Sequence, residues 1–265
     1  MKKNLVLIFA IFTVFVFAGC EKNSKNSIYT IQKGVFKVGM DINYPPMEYY
    51  DSDGRTPIGF DVELARLLAD KMDLQIEYVN AEWDTIFEGL DTNKYDAVIS
   101  SVTITSERRK TMSFSQAYIG NAQSIVVRKD SDIKVSRPAD LEGLTVGYQV
   151  ETTSEYYMND MAEAGLFFTG MAFGTVTQAY DALLAGECDA IMNDIFVSAG
   201  YLLQSSQYKM VWTGEADEYL GIAMKKNNLV LIEKVNEALD SLSVEGTLRA
   251  LSKKFFNTDL IAVPM

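Results

Sequence analysis

Two passages, "GLDTNKYDAVISS" (89–101) and "ALLAGECDAIMND" (182–194), share one outline. Each runs from a helix end through a short turn to Asp-Ala, then an apolar strand, then polar residues where the strand finishes. In open α/β sheets, ligands sit outside the carboxyl ends of the strands. The repeated outline therefore predicts two α/β lobes, each presenting polar groups at equivalent strand ends, with a cleft between them as the ligand site.

The surrounding chain agrees with that plan. "VFKVGM" (35–40), "QIEYV" (75–79), "DAVIS" (96–100), "QSIVV" (123–127), "LTVGY" (144–148), "DAIMN" (189–193) and "YLGIAM" (219–224) read as strands. Several are apolar at consecutive positions, as parallel strands covered on both faces are. Helical patterns lie between them. In "GFDVELARLLADKM" (59–72), Phe60, Leu64, Leu67, Leu68 and Met72 share one face. "WDTIFEGL", "TVTQAYDALLAG" and "LVLIEKVNEALDSL" behave similarly, giving an α/β sandwich pattern.

Composition narrows the function. The chain has 265 residues, no histidine and a net charge of −12. Lys2 and Lys3 precede an apolar run, Leu5 to Phe17, of secretory-signal length, which ends in "FAGC" before Cys20. This layout predicts a lipoprotein signal over 1–19, with Cys20 lipidated and 20–27 a polar tether that hangs the folded part from a membrane on its extracytoplasmic side. Taking Lys2 and Lys3 from the 24 basic residues while keeping all 36 acidic ones moves the charge to −14. Such a chain lacks the basic footprint that nucleic-acid binding needs. Cys188 is the one cysteine then left, so no disulfide framework is expected. Without histidine, Ser-His-Asp and Cys-His catalysis and the commonest zinc ligand are absent. The balance moves from enzyme to binding protein, with no cofactor and no metal.

The passage "GFDVELARLLADKM" resembles the signature of the family 3 bacterial solute-binding proteins, the extracytoplasmic polar amino-acid receptors of ABC importers. Further blocks follow in register: "EWDTIFEGLDTNKYDAVISSVTITSERRKTMSFSQAY", "LEGLTVGYQVETTSEYY", "GECDAIMND" and the closing "IEKVNEALDSLSVEGTLRALSKKFF". The resemblance implies a type II periplasmic-binding-protein-like fold: two α/β sandwich lobes joined by two hinge crossings. Lobe 1 would be 28–122 plus 219–265, lobe 2 would be 123–218, and the crossings would lie near Gly120–Ser124 and Gly214–Leu220. It also implies a monomer that closes on an amino acid and docks on an ABC transporter permease.

The resemblance places ligand contacts at Ser100, Ser101, Thr103 and Arg108. A free amino acid presents a carboxylate and an ammonium, and both must be paired when buried. The planar Arg108 guanidinium suits the carboxylate, while Arg109 and Lys110 read as solvated charges. Thr105 or Ser106 would cap the helix beginning here. Asp194 matches the family's acid for the ammonium, and is also placed to cap the helix after it. Thr152 and Thr153, at a strand-to-helix turn, suit an anion. Glu151 stands where many members have Gly, which leaves the shape of this loop open. Tyr44 and Trp83 match the family's aromatic walls, Asp41 the side-chain end, and Gln149 and Asn193 positions that vary with ligand.

These residues favour a basic or amide side chain, because no second cation awaits a second carboxylate. Two alternatives share the scaffold. One is a sensor presenting an amino acid to a signalling partner. The other is a cyclohexadienyl-dehydratase-like enzyme, for which Glu48 or Glu151 would be the nominated acid.

Overall fold

The computed structural model describes residues 29–261. The expected signal peptide, Cys20 and the tether lie outside the described residues. Among those described, no helix is long and apolar enough to cross a membrane.

Two five-stranded sheets carry the fold. The first has the order β4-β1-β5-β12-β6: β1 (Val35–Met40), β4 (Gln75–Asn80), β5 (Ala97–Val98), β6 (Met112–Asn121) and β12 (Glu218–Lys225). The second has the order β11-β7-β10-β8-β9: β7 (Gln123–Arg128), β8 (Thr145–Gln149), β9 (Thr169–Phe173), β10 (Ala190–Asp194) and β11 (Tyr208–Thr213). A small hairpin, β2 (Tyr49–Tyr50) with β3 (Pro57–Ile58), lies beside the first sheet's opening loop. The chain passes between the sheets twice, from β6 to β7 through Ala122 and from β11 to β12 through Gly214–Asp217. The fold is the two-lobed α/β type II architecture.

The two echoed passages are built alike, and the reason is visible. The backbone N–H of Asp96 donates to the Lys37 carbonyl, and its carboxylate accepts the Lys37 N–H at 2.8 Å. Asp189 repeats this with Thr145, accepting its N–H at 2.9 Å. Each aspartate thus pins a neighbouring strand at the start of its own, and the same device recurs in both sheets.

Helix α1 (Phe60–Lys71) buries Phe60, Leu64 and Leu68 fully, as its spacing predicts, and packs on α7 (Leu229–Val244) and α8 (Thr247–Phe256). Its start is fixed by Gly59, at φ 134°, where a Cβ would lie 2.2 Å from the Met47 carbonyl oxygen. Only glycine fits there. The contact ties the Pro46–Met47 loop to the helix, since Phe60 and Asp61 donate to the Pro46 and Met47 carbonyls. In the second lobe, α4 (Thr153–Glu163), α5 (Val176–Ala185) and α6 (Ile195–Gln204) cover the sheet.

Three local expectations differ. "WDTIFEGL" is not one helix but a 3₁₀ turn, Trp83–Thr85, and a single turn α2 (Glu88–Asp91). The break lets Trp83 turn inwards with Ile86 against the Tyr95 cluster. The "DAVIS" strand pairs only at Ala97 and Val98, because the chain bends into the site loop at Ser100. Strands β2, β3, β6, β9 and β11 lie outside the seven segments that read as strands.

Candidate ligand-binding site

A cleft enclosing about 320 Å³ of non-atom space, part of it open to solvent, lies between the two sheets' strand ends. Asp41, Tyr44, Trp83, Ser100, Ser101, Thr103 and Arg108 line it from the first lobe, and Gln149, Thr152, Thr153 and Asp194 from the second. Of the residues expected at a site, Asn193 alone does not line it. Its Oδ1 is turned instead to the Tyr44 hydroxyl, 3.1 Å away. Glu48 lines the cavity as well, a position that the sequence nominated only for an enzymatic acid.

The first lobe's wall is held from behind. Ser101 adopts φ 52° and donates its N–H to Asp61 Oδ2 at 2.8 Å, an oxygen that also accepts the Tyr118 hydroxyl at 2.9 Å. Asp61, the aspartate of the Gly-Phe-Asp signature, therefore shapes the Ser101 loop rather than facing the cavity. The Ser101 hydroxyl is buried in the cavity wall with no partner among the described residues. Ser100 links two acids: its Oγ donates to Glu48 Oε1 at 2.7 Å and accepts the Asp41 N–H at 3.0 Å. Asp41 in turn accepts Gln149 Nε2 from the other lobe at 3.0 Å.

Arg108 opens the short helix α3 (Arg108–Thr111), whose first N–H is capped by the Thr105 hydroxyl at 3.1 Å. Its guanidinium stands 5.4 Å from the Trp83 ring centre and 5.4 Å from that of Phe87. Both contacts are of cation–π type, with the guanidinium beside the edge-to-face ring pair. One nitrogen donates to the Thr103 carbonyl at 3.0 Å and another crosses to the Glu151 carbonyl at 3.2 Å. Burial pushes the Arg108 pKa down, countered by Tyr156, Glu218 and Asp194. Arg109 and Lys110 are exposed. Phe87 was missed from sequence because it reads as one more apolar position of a helix that does not form.

On the second lobe, Thr152 is the N-cap of α4, its Oγ accepting the Glu155 N–H at 3.3 Å and donating to the Gln149 carbonyl at 2.8 Å. Glu151 before it holds φ 59°, the left-handed conformation that glycine takes freely. The unusual residue thus keeps the loop shape a glycine would give. Asp194 occupies the N-cap position of α6, yet its side chain caps nothing there. Instead its Oδ2 accepts the Tyr44 hydroxyl across the cleft at 2.6 Å, and its Oδ1 accepts Asn121 Nδ2 at 2.7 Å.

The cavity is short of positive charge. Burial raises Asp41 to about 6. Burial, then the charge of Glu218, raises Asp194 to about 7. Burial, then Asp61 beside it, holds Glu48 well above the usual carboxylate range. Asp61 itself rises to about 7, again by burial. Against Asp41, Glu48 and Asp194 the lining sets a single cation, Arg108. A guanidinium, the backbone N–H groups of an N-terminal helix turn and the unpartnered Ser101 hydroxyl can hold a carboxylate. Asp194 can hold an ammonium, and Asp41 with Glu48 and Gln149 can hold a second cationic or amide group.

The family model for bacterial extracellular solute-binding proteins, family 3, matches residues 36–258. The L-cystine-binding protein TcyJ of Escherichia coli (strain K12) is 30% identical over 231 residues, covering 86% of this chain and 85% of that protein. The ABC transporter arginine-binding protein 1 of the same organism is 30% identical over 223 residues, covering 82% and 89%. A solved structure of an ancestral arginine-binding protein bound to arginine superposes with a TM-score of 0.80 at 33% identity, covering 84% of this chain and 99% of that one.

Proposed function

The chain belongs to the bacterial extracellular solute-binding proteins, family 3, and on that premise we propose that it captures a cationic L-amino acid between its lobes and hands it to an ABC transporter permease. Arg108 with Thr152 and Thr153 takes the α-carboxylate, and Asp194 with Thr103 and Ser101 takes the α-ammonium. Tyr44 and Trp83 flank the aliphatic stem, and Asp41, Glu48 and Gln149 receive the distal charge. Asn193 acts behind Tyr44, fixing its hydroxyl.

One observation carries the choice of ligand. Among the described residues, the Asp41 carboxylate meets only the Asn43 and Gln149 amides and Glu48 only the Ser100 hydroxyl, while the guanidinium of Arg108 is tied to the Thr103 and Glu151 carbonyls. Burial raises the pKa of both acids, and a ligand cation placed beside them would favour their ionised forms. L-Arginine or L-lysine supplies the missing cation. L-Cystine, which the relative TcyJ binds, brings a second ammonium that the acids can meet but also a second carboxylate for which the lining offers no second cation. No covalent step is involved. The protein would act as a monomer, held to the extracytoplasmic face of a membrane through lipidated Cys20.

Titration calorimetry against L-arginine, L-lysine, L-histidine, L-glutamine and L-cystine tests this. Micromolar or tighter binding of L-arginine or L-lysine is expected. Absence of heat with both at millimolar concentration would retire the cationic reading, and absence with every amino acid would retire the receptor reading. A Cys20→Ser chain should appear in the culture medium rather than in the membrane fraction.

A further inference from the structure

Glu218 stands where the second crossing ends and β12 begins. Its carboxylate collects four donors, two from each side of the cleft. From the first lobe come Asn121 Nδ2 at 2.8 Å and Thr103 Oγ1 at 3.2 Å, both to Oε2. From the second come Gln123 Nε2 at 2.9 Å to Oε1 and Thr153 Oγ1 at 3.2 Å to Oε2. Asn121 and Gln123 flank the first crossing at Ala122, so one carboxylate stitches both crossings together. The same two amides reach Asp194 Oδ1, at 2.7 Å and 3.3 Å.

Thr103 and Thr153 line the ligand cavity from opposite lobes, and they also line an outer, solvent-open pocket beside Trp212 and Tyr219. Glu218 lines only the outer one. It therefore sits in the wall between ligand and solvent, holding one hydroxyl from each lobe on a single oxygen. Moving the lobes apart withdraws Thr153 from that oxygen while Thr103 stays with the first lobe.

We propose that Glu218 is a positioning residue that couples ligand capture to lobe closure: it clasps Thr103 and Thr153 in the closed form and wires Asp194 to both crossings. The proposal rests on the cleft being the ligand site. Hydrogen bonds to a charged acceptor contribute mainly to the lifetime of a closed complex, so their loss appears in dissociation rather than encounter.

Two measurements test it. The first needs no ligand. Cysteines placed by Asn43→Cys and Thr177→Cys meet across the rim, where Thr177 Oγ1 already donates to the Asn43 carbonyl at 3.3 Å. Their oxidative cross-linking rate reports the closed population. In a Glu218→Ala background it should fall at least about tenfold, the scale of one lost charged hydrogen bond. The second is stopped-flow fluorescence with L-arginine, read by the two tryptophans, Trp83 in the cleft and Trp212 beside Glu218. Dissociation should quicken about ten- to hundredfold with association unchanged. Glu218→Gln, which keeps one acceptor, should fall between and decides the matter should Glu218→Ala fail to fold. Cross-linking at the unsubstituted rate, or a loss confined to association, would overturn the proposal. If the unsubstituted protein ignores L-arginine, the ligand reading fails, while the cross-linking ratio still judges Glu218.

Discussion

Arg108 is the one cation in a lining that also holds Asp41, Glu48 and Asp194, and it already rests beside the paired Trp83 and Phe87 rings before any ligand is considered. Replacing it by alanine removes the partner of a buried carboxylate, a change that typically costs about 2–5 kcal/mol. Arg108→Ala should thus weaken binding at least about thirtyfold in calorimetry, while Arg109→Ala, at an exposed position, stays within about twofold. Arg108→Lys should not rescue, since an ammonium cannot span the Thr103 and Glu151 carbonyls as the planar fork does. The reverse ranking of Arg108 and Arg109 would overturn the assigned register of this segment. Glu48→Gln separates ligands: L-arginine affinity should fall about tenfold or more, with L-glutamine little affected. Equal loss for both would show Glu48 to be structural. The roles of these residues differ in how openly the sequence displays them. Arg108 stands out because a hydroxyl-rich run meets a basic one. Glu48 lies in "PPMEYY" among residues that read as a stiff turn, and only the fold brings it against Ser100. Asp61 shows the converse. Its motif is conspicuous, yet the residue works behind the wall, on Ser101 and Tyr118.

At the scale of elements, the turn from β8 into α4 is where a local rule is broken and the shape retained. Glu151 sits at φ 59°, at a cost of about 1–2 kcal/mol for a residue with a Cβ. What the site uses from it is backbone: the carbonyl that accepts Arg108. Glu151→Gly should accordingly leave ligand affinity within about twofold, because glycine reaches that conformation freely. Thr152→Ala removes the cap of α4 and should lower stability in urea by about 1 kcal/mol. If Glu151→Gly abolishes binding, the side chain and not the loop shape is what matters. Elements were legible where their periodicity matched their environment. β1 was delimited as it stands, and α1 shows its buried stripe. β6 was hidden because "MSFSQAYIGN" mixes buried and half-buried polar residues, with bulges along its pairing to β12. The "WDTIFEGL" helix was over-read because its apolar residues serve a cavity wall and a cluster rather than one helical face. The echoed Asp-Ala passages were legible as an outline, but that each aspartate stitches a neighbouring strand required the sheets.

For the molecule as a whole, buried carboxylates make folding and ligand capture respond to pH in opposite directions. Asp41 rises to about 6, and Asp61 and Asp194 to about 7, each chiefly through burial. The unfolded chain titrates them near the ordinary value of about 4. Between those limits the folded protein holds more protons than the unfolded one, so stability falls as pH rises from about 4 through about 7. The contribution is fully present below the unfolded value and lost above the folded one. A cationic ligand reverses the preference, because it binds the ionised carboxylates. Asp41 faces Gln149 and Asn43, with Glu82 and Asp84 nearby, and Asp194 faces Tyr44, Asn121, Gln123 and Glu218, so the proposed ligand's positive charge would relieve both. The ligand-free melting temperature should therefore be higher at pH 5 than at pH 8, whereas affinity for L-arginine should be weaker at pH 5. Calorimetry near pH 6.5 in buffers of different ionisation enthalpy should show protons released on binding. Asp41→Asn should flatten the acid limb of the affinity profile while leaving the part due to Asp194. An affinity that stays constant from pH 5 to pH 8 with no proton release would mean that these carboxylates are not what the ligand's positive charge meets, and the cationic assignment of the cleft would fall with it.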